Sequence, residues 1–287
     1  MMGDEHLTVR ELYASVKDAL KRGGIENAEF EAEQLLRGAG VNKITLISEP
    51  NRDVSDISAE IRAKIGRRLS GEPLQYILGE WEFYGLPFKV GEGVLIPRQD
   101  TETLVDVSLD FLKARAQNGR RTLDLCAGSG CIGITLAKIA GAEVTLVEKS
   151  VRAFGYLREN IALNGVSVEA VLGDVLRDDT VRGEYDLIVS NPPYLTESDM
   201  QALQKEVGFE PKNALYGGAD GLDFYKSILE IYPKKLKSGG MLAVEIGMGQ
   251  EGAVSGIFRE NGIEPRLEKD MCGIYRVVYG TKPQTRL

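Results

Sequence analysis

From Arg121 to the end of the chain, short apolar runs alternate with amphipathic helical patterns, and few folds accommodate that order. Residues 122–126, 143–147, 168–172, 185–190 and 241–246 read as strands. Helical patterns cover 132–140, 151–163 (stopped by Asn164-Gly165), 221–236 and 250–260. Continuously apolar strands need both faces covered, so the pattern predicts an α/β fold with a mostly parallel sheet between two layers of helices. Two late strands, 266–268 and 274–279, have no helix between them and predict an antiparallel hairpin at one edge. In such sheets ligands bind over the carboxyl ends of the strands. The chemistry is expected there.

The first strand runs into Asp124-Leu125-Cys126-Ala127-Gly128-Ser129-Gly130-Cys131-Ile132-Gly133. Gly128 and Gly130 allow a tight turn and a close approach of ligand to bare main chain, and the following helix offers free N–H groups. Glu148 stands twenty residues after Gly128, at the end of the second strand, where a carboxylate can accept both hydroxyls of a ribose. This much fits a dinucleotide as well as any other nucleoside cofactor. Cys126 and Cys131 read as small buried side chains, because a nucleophilic thiol wants a base and the only histidine is His6. The fourth strand ends in Asn191-Pro192-Pro193-Tyr194. Two prolines remove two N–H donors and leave carbonyls outside any regular ladder. The tetrapeptide can hold a planar –NH2 group, one N–H on the Asn191 side-chain oxygen, the other on the Pro192 carbonyl, with Tyr194 covering the plane.

The first 70 residues are helical instead. Thr8 and Glu11 form a capping box for a helix burying Leu12, Val16, Ala19 and Leu20. Asn27 is placed to cap a second, burying Phe30, Leu35 and Leu36. A short piece surrounds 44–47, and Ser58 opens a fourth helix with Ile61, Ile65 and Leu69 on one stripe. Arg62, Lys64, Arg67 and Arg68 form a positive cluster, read first as a solvated face and second as part of a docking surface. Residues 73–100 are rich in aromatic and β-branched types punctuated by glycine and proline, as in a hairpin. They lead into Pro97-Arg98-Gln99-Asp100-Thr101-Glu102, where Asp100 or Thr101 can cap the next helix.

The glycine loop, Glu148, Gly173-Asp174 and Asn191 to Tyr194 together resemble class I S-adenosylmethionine-dependent amino-group methyltransferases. Upstream, Gly71-Glu72-Pro73-Leu74-Gln75-Tyr76-Ile77-Leu78-Gly79, Phe83-Tyr84-Gly85 and the stretch from Val94 to Glu102 narrow the resemblance to the HemK/PrmC family. These are the peptide-chain release factor glutamine methyltransferases. The resemblance implies a Rossmann-like, mostly parallel seven-stranded sheet and N5-methylation of the glutamine in a Gly-Gly-Gln motif. It divides the chain into a helical docking domain (1–74), a linking hairpin (75–100) and a catalytic domain (101–287). It also assigns the site. Cys126, Ala127, Gly128, Ser129 and Gly130 would cradle the methionine end of S-adenosylmethionine, Glu148 the ribose, and Asp174 or Val175 the adenine, with Pro97 to Thr101 closing over. Asn191, Pro192, Pro193 and Tyr194 would hold the substrate amide, and Asn191 would border the cofactor. Two positions depart from the family, which commonly has glycine at Cys126 and aspartate at Glu148.

Composition bears on the partner. Thirty-five basic against 43 acidic residues give a net charge of −8, and residues 1–80 carry 11 basic and 14 acidic. Phosphate attraction needs a basic face, so this charge argues against an alternative reading as a nucleic-acid amino-methyltransferase. Three cysteines and one histidine make a disulfide framework or a zinc site unexpected. No apolar run approaches a membrane span, and Met1 to His6 lack a signal-peptide core. The expectation is a cytoplasmic, monomeric enzyme with no metal, no stable nucleic acid and no membrane anchor.

Overall fold

The computed structural model describes residues 7–115, 120–177 and 180–284. Met1 to His6, read above for a signal segment, lie outside them. The chain divides into two compact units. One runs up to Gly79 and includes Lys205–Phe209, and the other holds Glu80–Gln204 and the remainder from Glu210.

The first unit is built from α1 (Val9–Arg22), α2 (Ala28–Arg37), α3 (Lys43–Ser48), α4 (Ser58–Leu69) and α5 (Leu74–Leu78). The Thr8 hydroxyl accepts the Glu11 N–H while the Glu11 carboxylate accepts the Thr8 N–H, so the capping box forms as read. Val9, Leu12, Val16, Leu20, Leu35, Leu36 and Ile61 are the buried apolar core. Four details differ from the sequence reading. Asn27 makes no side-chain cap, and Phe30 is 49% exposed. Residues 74–78 are a helical turn between Pro73 and a left-handed Gly79, not a strand. The stripe of α4 also turns inward at Arg68 rather than Leu69, which is 40% exposed. Helical geometry explains this last point, since a residue seven on from Ile61 lies about 20° around the axis and one eight on about 80°. Arg68 is 7% exposed and makes a bidentate pair with Glu31, at 2.6 and 3.1 Å, and a third bond to Glu206 at 3.0 Å. Lys64 pairs with Glu60, Arg67 with Glu72, and Arg62 bonds the Ser58 hydroxyl. Three of the four basic residues thus have an acidic partner within the unit.

The second unit starts with the hairpin β1 (Glu80–Phe83) and β2 (Leu86–Lys89), then α6 (Glu102–Lys113). It continues through β3 (Arg121–Leu125), α7 (Cys131–Ala140), β4 (Glu143–Glu148), α8 (Val151–Asn164), β5 (Glu169–Leu172) and β6 (Tyr185–Ser190). α9 (Glu197–Gln201), α10 (Asp223–Ile231), β7 (Leu236–Glu245), α11 (Glu251–Glu260), β8 (Arg266–Lys269) and β9 (Tyr275–Thr281) complete it. α10 is shorter than its pattern and β7 starts earlier, because Pro233 ends the helical run in a tight turn. The sheet has seven strands in the order β5-β4-β3-β6-β7-β9-β8. β3 to β7 pair in parallel, and β9 joins β7 and β8 antiparallel, which is the edge hairpin expected. Leu187 and Val189 face α6 and α7, while Ile188 faces α10 and α11, so successive side chains feed two cores. No helix among the described residues is long and apolar enough to cross a membrane.

Strand order reverses between β3 and β6. Their register sets Leu125 beside Ser190, which brings the glycine loop and Asn191 to the two sides of the resulting crevice.

Candidate active site

The loop after β3 turns on three left-handed residues, Cys126 (φ 60°), Gly128 (φ 57°) and Gly130 (φ 83°). Cys126 is one of only two non-glycine residues with positive φ among those described, and it occupies the position where the family commonly has glycine. A Cβ at Gly128 would meet nothing within 4 Å, so its main chain faces open space. Gly130 has the opposite reason, since a Cβ there would come 2.4 Å from Leu157. The Glu148 carboxylate braces the turn, accepting the Gly128 N–H at 2.8 Å and the Ser150 N–H at 2.6 Å. Burial raises its pKa, and those backbone donors oppose the rise. Each carboxylate oxygen keeps a second lone pair for a ligand hydroxyl.

A cavity of about 800 Å³ opens over these strand ends. Cys126, Ala127, Gly128, Ser129, Glu148, Asp174, Val175 and Asn191 all line it, so the loop, Glu148 and the residues expected on the adenine side are brought together. Pro97, Arg98, Thr101 and Pro193 line it as well. Gly130, Pro192 and Tyr194 do not belong to the wall. Asp174 is drawn outward to Lys149 at 2.8 Å; burial acts to raise its pKa, but that lysine and the Leu176 N–H leave it lowered. Burial, reinforced by Glu148, pushes the Cys126 thiol far up, and burial raises Cys131 to about 12. Neither is a nucleophile at neutral pH.

The segment from Asn191 to Tyr194 is clamped from behind. A Cβ at Gly217 would lie 2.6 Å from the Pro193 carbonyl oxygen, and one at Gly221 2.4 Å from that of Tyr194. The Gln250 amide donates to the Tyr194 carbonyl at 3.1 Å while its oxygen accepts the Gly247 N–H. The Pro192 carbonyl accepts no hydrogen bond among the described residues. Burial, then the Glu245 carboxyl, holds the Tyr194 phenol far above its ordinary range, so it stays protonated.

Two residues here, Glu245 and Glu210, escaped the sequence reading, and Thr101 was read only as a cap or as part of the stretch closing over the cofactor. Thr101 does not cap α6 with its side chain, and neither does Asp100, whose carboxylate pairs with Arg276 at 2.7 Å. A 3₁₀ turn over Gln99–Thr101 precedes the helix and aims the Thr101 hydroxyl at Asn191, whose Nδ2 donates to it at 3.2 Å. Glu245, 2% exposed, ends β7 next to β6, with its carboxyl close to the Thr101 and Asn191 side chains. Burial raises that carboxyl to about 7. A carboxylate at a strand's carboxyl end beside the Asn191 strand was the available signal. Glu210 accepts the Ile96 N–H at 3.0 Å and binds Arg98, anchoring the Pro97 stretch from 114 residues away, which no local pattern could announce.

The family model described as "Methyltransferase small domain" matches residues 101–215, and "PrmC N-terminal domain" matches 11–79. The chain is 41% identical over 281 residues to the release factor glutamine methyltransferase of Geobacter sulfurreducens, covering 95% of this chain and 96% of that one. It is also 41% identical over 242 residues to the one from Thermodesulfovibrio yellowstonii, covering 83% and 86%. Among solved structures, a methyltransferase from Pyrococcus furiosus superposes with a TM-score of 0.54 at 20% identity, over 78% of this chain and 99% of that one. That likeness speaks for the fold alone.

Proposed function

The chain belongs to the release factor glutamine methyltransferase family, and from that premise we propose that Asn191 and Pro192 hold the glutamine side-chain amide that this S-adenosylmethionine-dependent enzyme methylates. The residues present suit the cofactor: main chain bare at Gly128, a carboxylate with spare lone pairs at Glu148, and a cavity large enough for a nucleoside between them. When bound, S-adenosylmethionine supplies a methyl group on a positively charged sulfur. Everything else is positioning. A carboxamide nitrogen is a poor nucleophile because its lone pair is shared with the carbonyl. Fixing both N–H groups, on the Asn191 oxygen and the free Pro192 carbonyl, aims that lone pair along one line and lets both acceptors stabilise positive charge as it develops. Tyr194, protonated and clamped, limits where the amide plane can lie.

The observation that carries this reading is the placement of Asn191 beside the Glu148 loop at one cavity. An amino group on a nucleobase could satisfy the same two acceptors, so the substrate class rests on the relatives. Reading further, residues 1–74 serve as a docking domain for the release factor, 75–100 as a linking hairpin and 101–287 as the catalytic domain. The enzyme acts in the cytoplasm as a monomer, without metal or bound nucleic acid. The test is to supply labelled S-adenosylmethionine with release factor, ribosomal RNA and DNA in parallel. Label is expected on a release factor glutamine. Label on nucleic acid with none on release factor would reverse the proposal.

A further inference from the structure

Asparagine's usefulness in this site depends on which end of its amide faces the cavity. Oδ1 toward the substrate accepts an N–H; Nδ2 toward the substrate would oppose it donor to donor. The two orientations have nearly the same shape, so packing cannot choose between them. The choice falls to hydrogen-bond polarity on the far side of the side chain, where Thr101 and Glu245 stand.

Three observations converge there. Asn191 Nδ2 lies 3.2 Å from Thr101 Oγ1. The Glu245 carboxyl, at the end of the neighbouring strand β7, lies close to both of these side chains. It is also almost wholly buried, with Oε2 left without a partner among the described residues. Once ionised, this carboxyl accepts and does not donate. If it takes the single Thr101 proton, Thr101 can only accept from Asn191, and Asn191 must turn Nδ2 inward and Oδ1 toward the cavity. Backbone pairing supports the alignment, because Ser190 lies opposite Val244 and the next residues along β6 and β7 are Asn191 and Glu245. A carboxyl left partly unsatisfied in a core is costly and calls for a reason beyond packing.

We infer that Glu245, acting through Thr101, is a positioning residue that fixes the orientation of the Asn191 amide so that it presents an acceptor to the substrate nitrogen. Glu245 itself touches no substrate. The inference rests on the role given to Asn191, and the experiment separates the two.

Replacing Glu245 by Gln introduces a donor that can bond Thr101 Oγ1, freeing the threonine proton to hold Asn191 Oδ1 inward. Glu245→Gln is therefore expected to lower kcat on release factor by about tenfold or more, while S-adenosylmethionine affinity and the release factor KM stay within about twofold. Thr101→Val, which removes the relay, should reproduce that loss, and Thr101→Ser, which keeps the hydroxyl, should restore most of kcat. The Thr101→Val/Glu245→Gln double variant should be no slower than the slower single one, because both act through one amide. Circular dichroism and a thermal melt report folding in every variant, because Thr101 itself lines the cavity. If Glu245→Gln does not fold, the Thr101 pair decides alone. Losses that multiply in the double variant, equal activity of Thr101→Val and Thr101→Ser, or a loss seated in KM would overturn the inference. Asn191→Ala is the separating arm. If it is inactive while Thr101→Val and Glu245→Gln remain fast, the positioning role fails and the role of Asn191 stands; if it is itself fast, both fall.

Discussion

At Glu148 one side chain does two jobs, bracing the glycine turn through the Gly128 and Ser150 N–H groups and facing the cavity. Glu148→Ala is therefore expected to weaken S-adenosylmethionine binding by at least about 1.5–3 kcal/mol, the range for a hydrogen bond to a charged group, with added loss from the unbraced loop. Glu148→Gln, which keeps an acceptor, should lose less; calorimetric titration of both variants checks the order. Cys126 tests the loop from the other side. Its φ of 60° suits glycine, so Cys126→Gly should change stability by no more than about 1 kcal/mol and leave cofactor binding intact. Cys126→Val puts a branched side chain into the same left-handed backbone and should lose about 2 kcal/mol or more in a denaturant melt. The loop, Glu148, Asp174 and Asn191 were legible in the sequence because glycine, proline and strand ends punctuate it locally. Thr101 was legible as a possible cap and as the end of the stretch expected to close over the cofactor. Its partnership with Asn191 spans 90 residues, and no periodicity encodes a meeting at that distance.

Elements were read well where a punctuating residue closed them and less well where burial was decided by a partner. The strands from β3 to β6 came within a residue or so of their observed limits, since glycine and asparagine bound the helices between them. The inward face of α4 was misread by one position because arginine is assumed to be outside, and only Glu31, on another helix, reverses that assumption. The pair makes a prediction at this scale. Arg68→Ala leaves Glu31 buried without its cation and should destabilise the protein by about 3–5 kcal/mol, whereas Arg68→Met combined with Glu31→Leu should recover most of it. Thermal melts of the three proteins decide. Equal melting temperatures for wild type and Arg68→Ala would mean that the pair holds nothing together.

Over the whole molecule, two buried carboxyls set a pH dependence. Asp124, raised to about 7 by burial, has Oδ1 unpartnered among the described residues, and Glu245 is raised to about 7 likewise. The folded state then keeps protons that the unfolded chain sheds near pH ~4, so their contribution to stability is full below that point and lost as pH rises through ~7. The melting temperature should fall between about pH 5 and pH 7.5, and the slope should flatten in Asp124→Asn. A rising curve over that window would contradict the assignment. The two compact units give a second prediction. A chain starting at Glu80 should still bind S-adenosylmethionine, since its proposed binding residues lie in the second unit. If the first unit docks the substrate, this chain should lose activity on intact release factor through a raised KM, and lose much less on a short Gly-Gly-Gln peptide. With cofactor binding as the control for folding, equal losses on protein and peptide would make the first unit a structural support.

The central place of β6 in the sheet has a consequence for the order in which the protein comes into being. When residues 185–190 leave the ribosome, β3 is already available to pair with them, and the glycine loop and Asn191 can stand side by side. The opposite edge of β6 stays bare until Leu236–Glu245 has been synthesised, some 45 residues later. During that interval the nascent chain carries an open, apolar strand edge of the kind that pairs with strangers. The strand that seals it is the same one that carries Glu245, so protection from mispairing and the arrival of that carboxyl beside Asn191 come in a single step of synthesis.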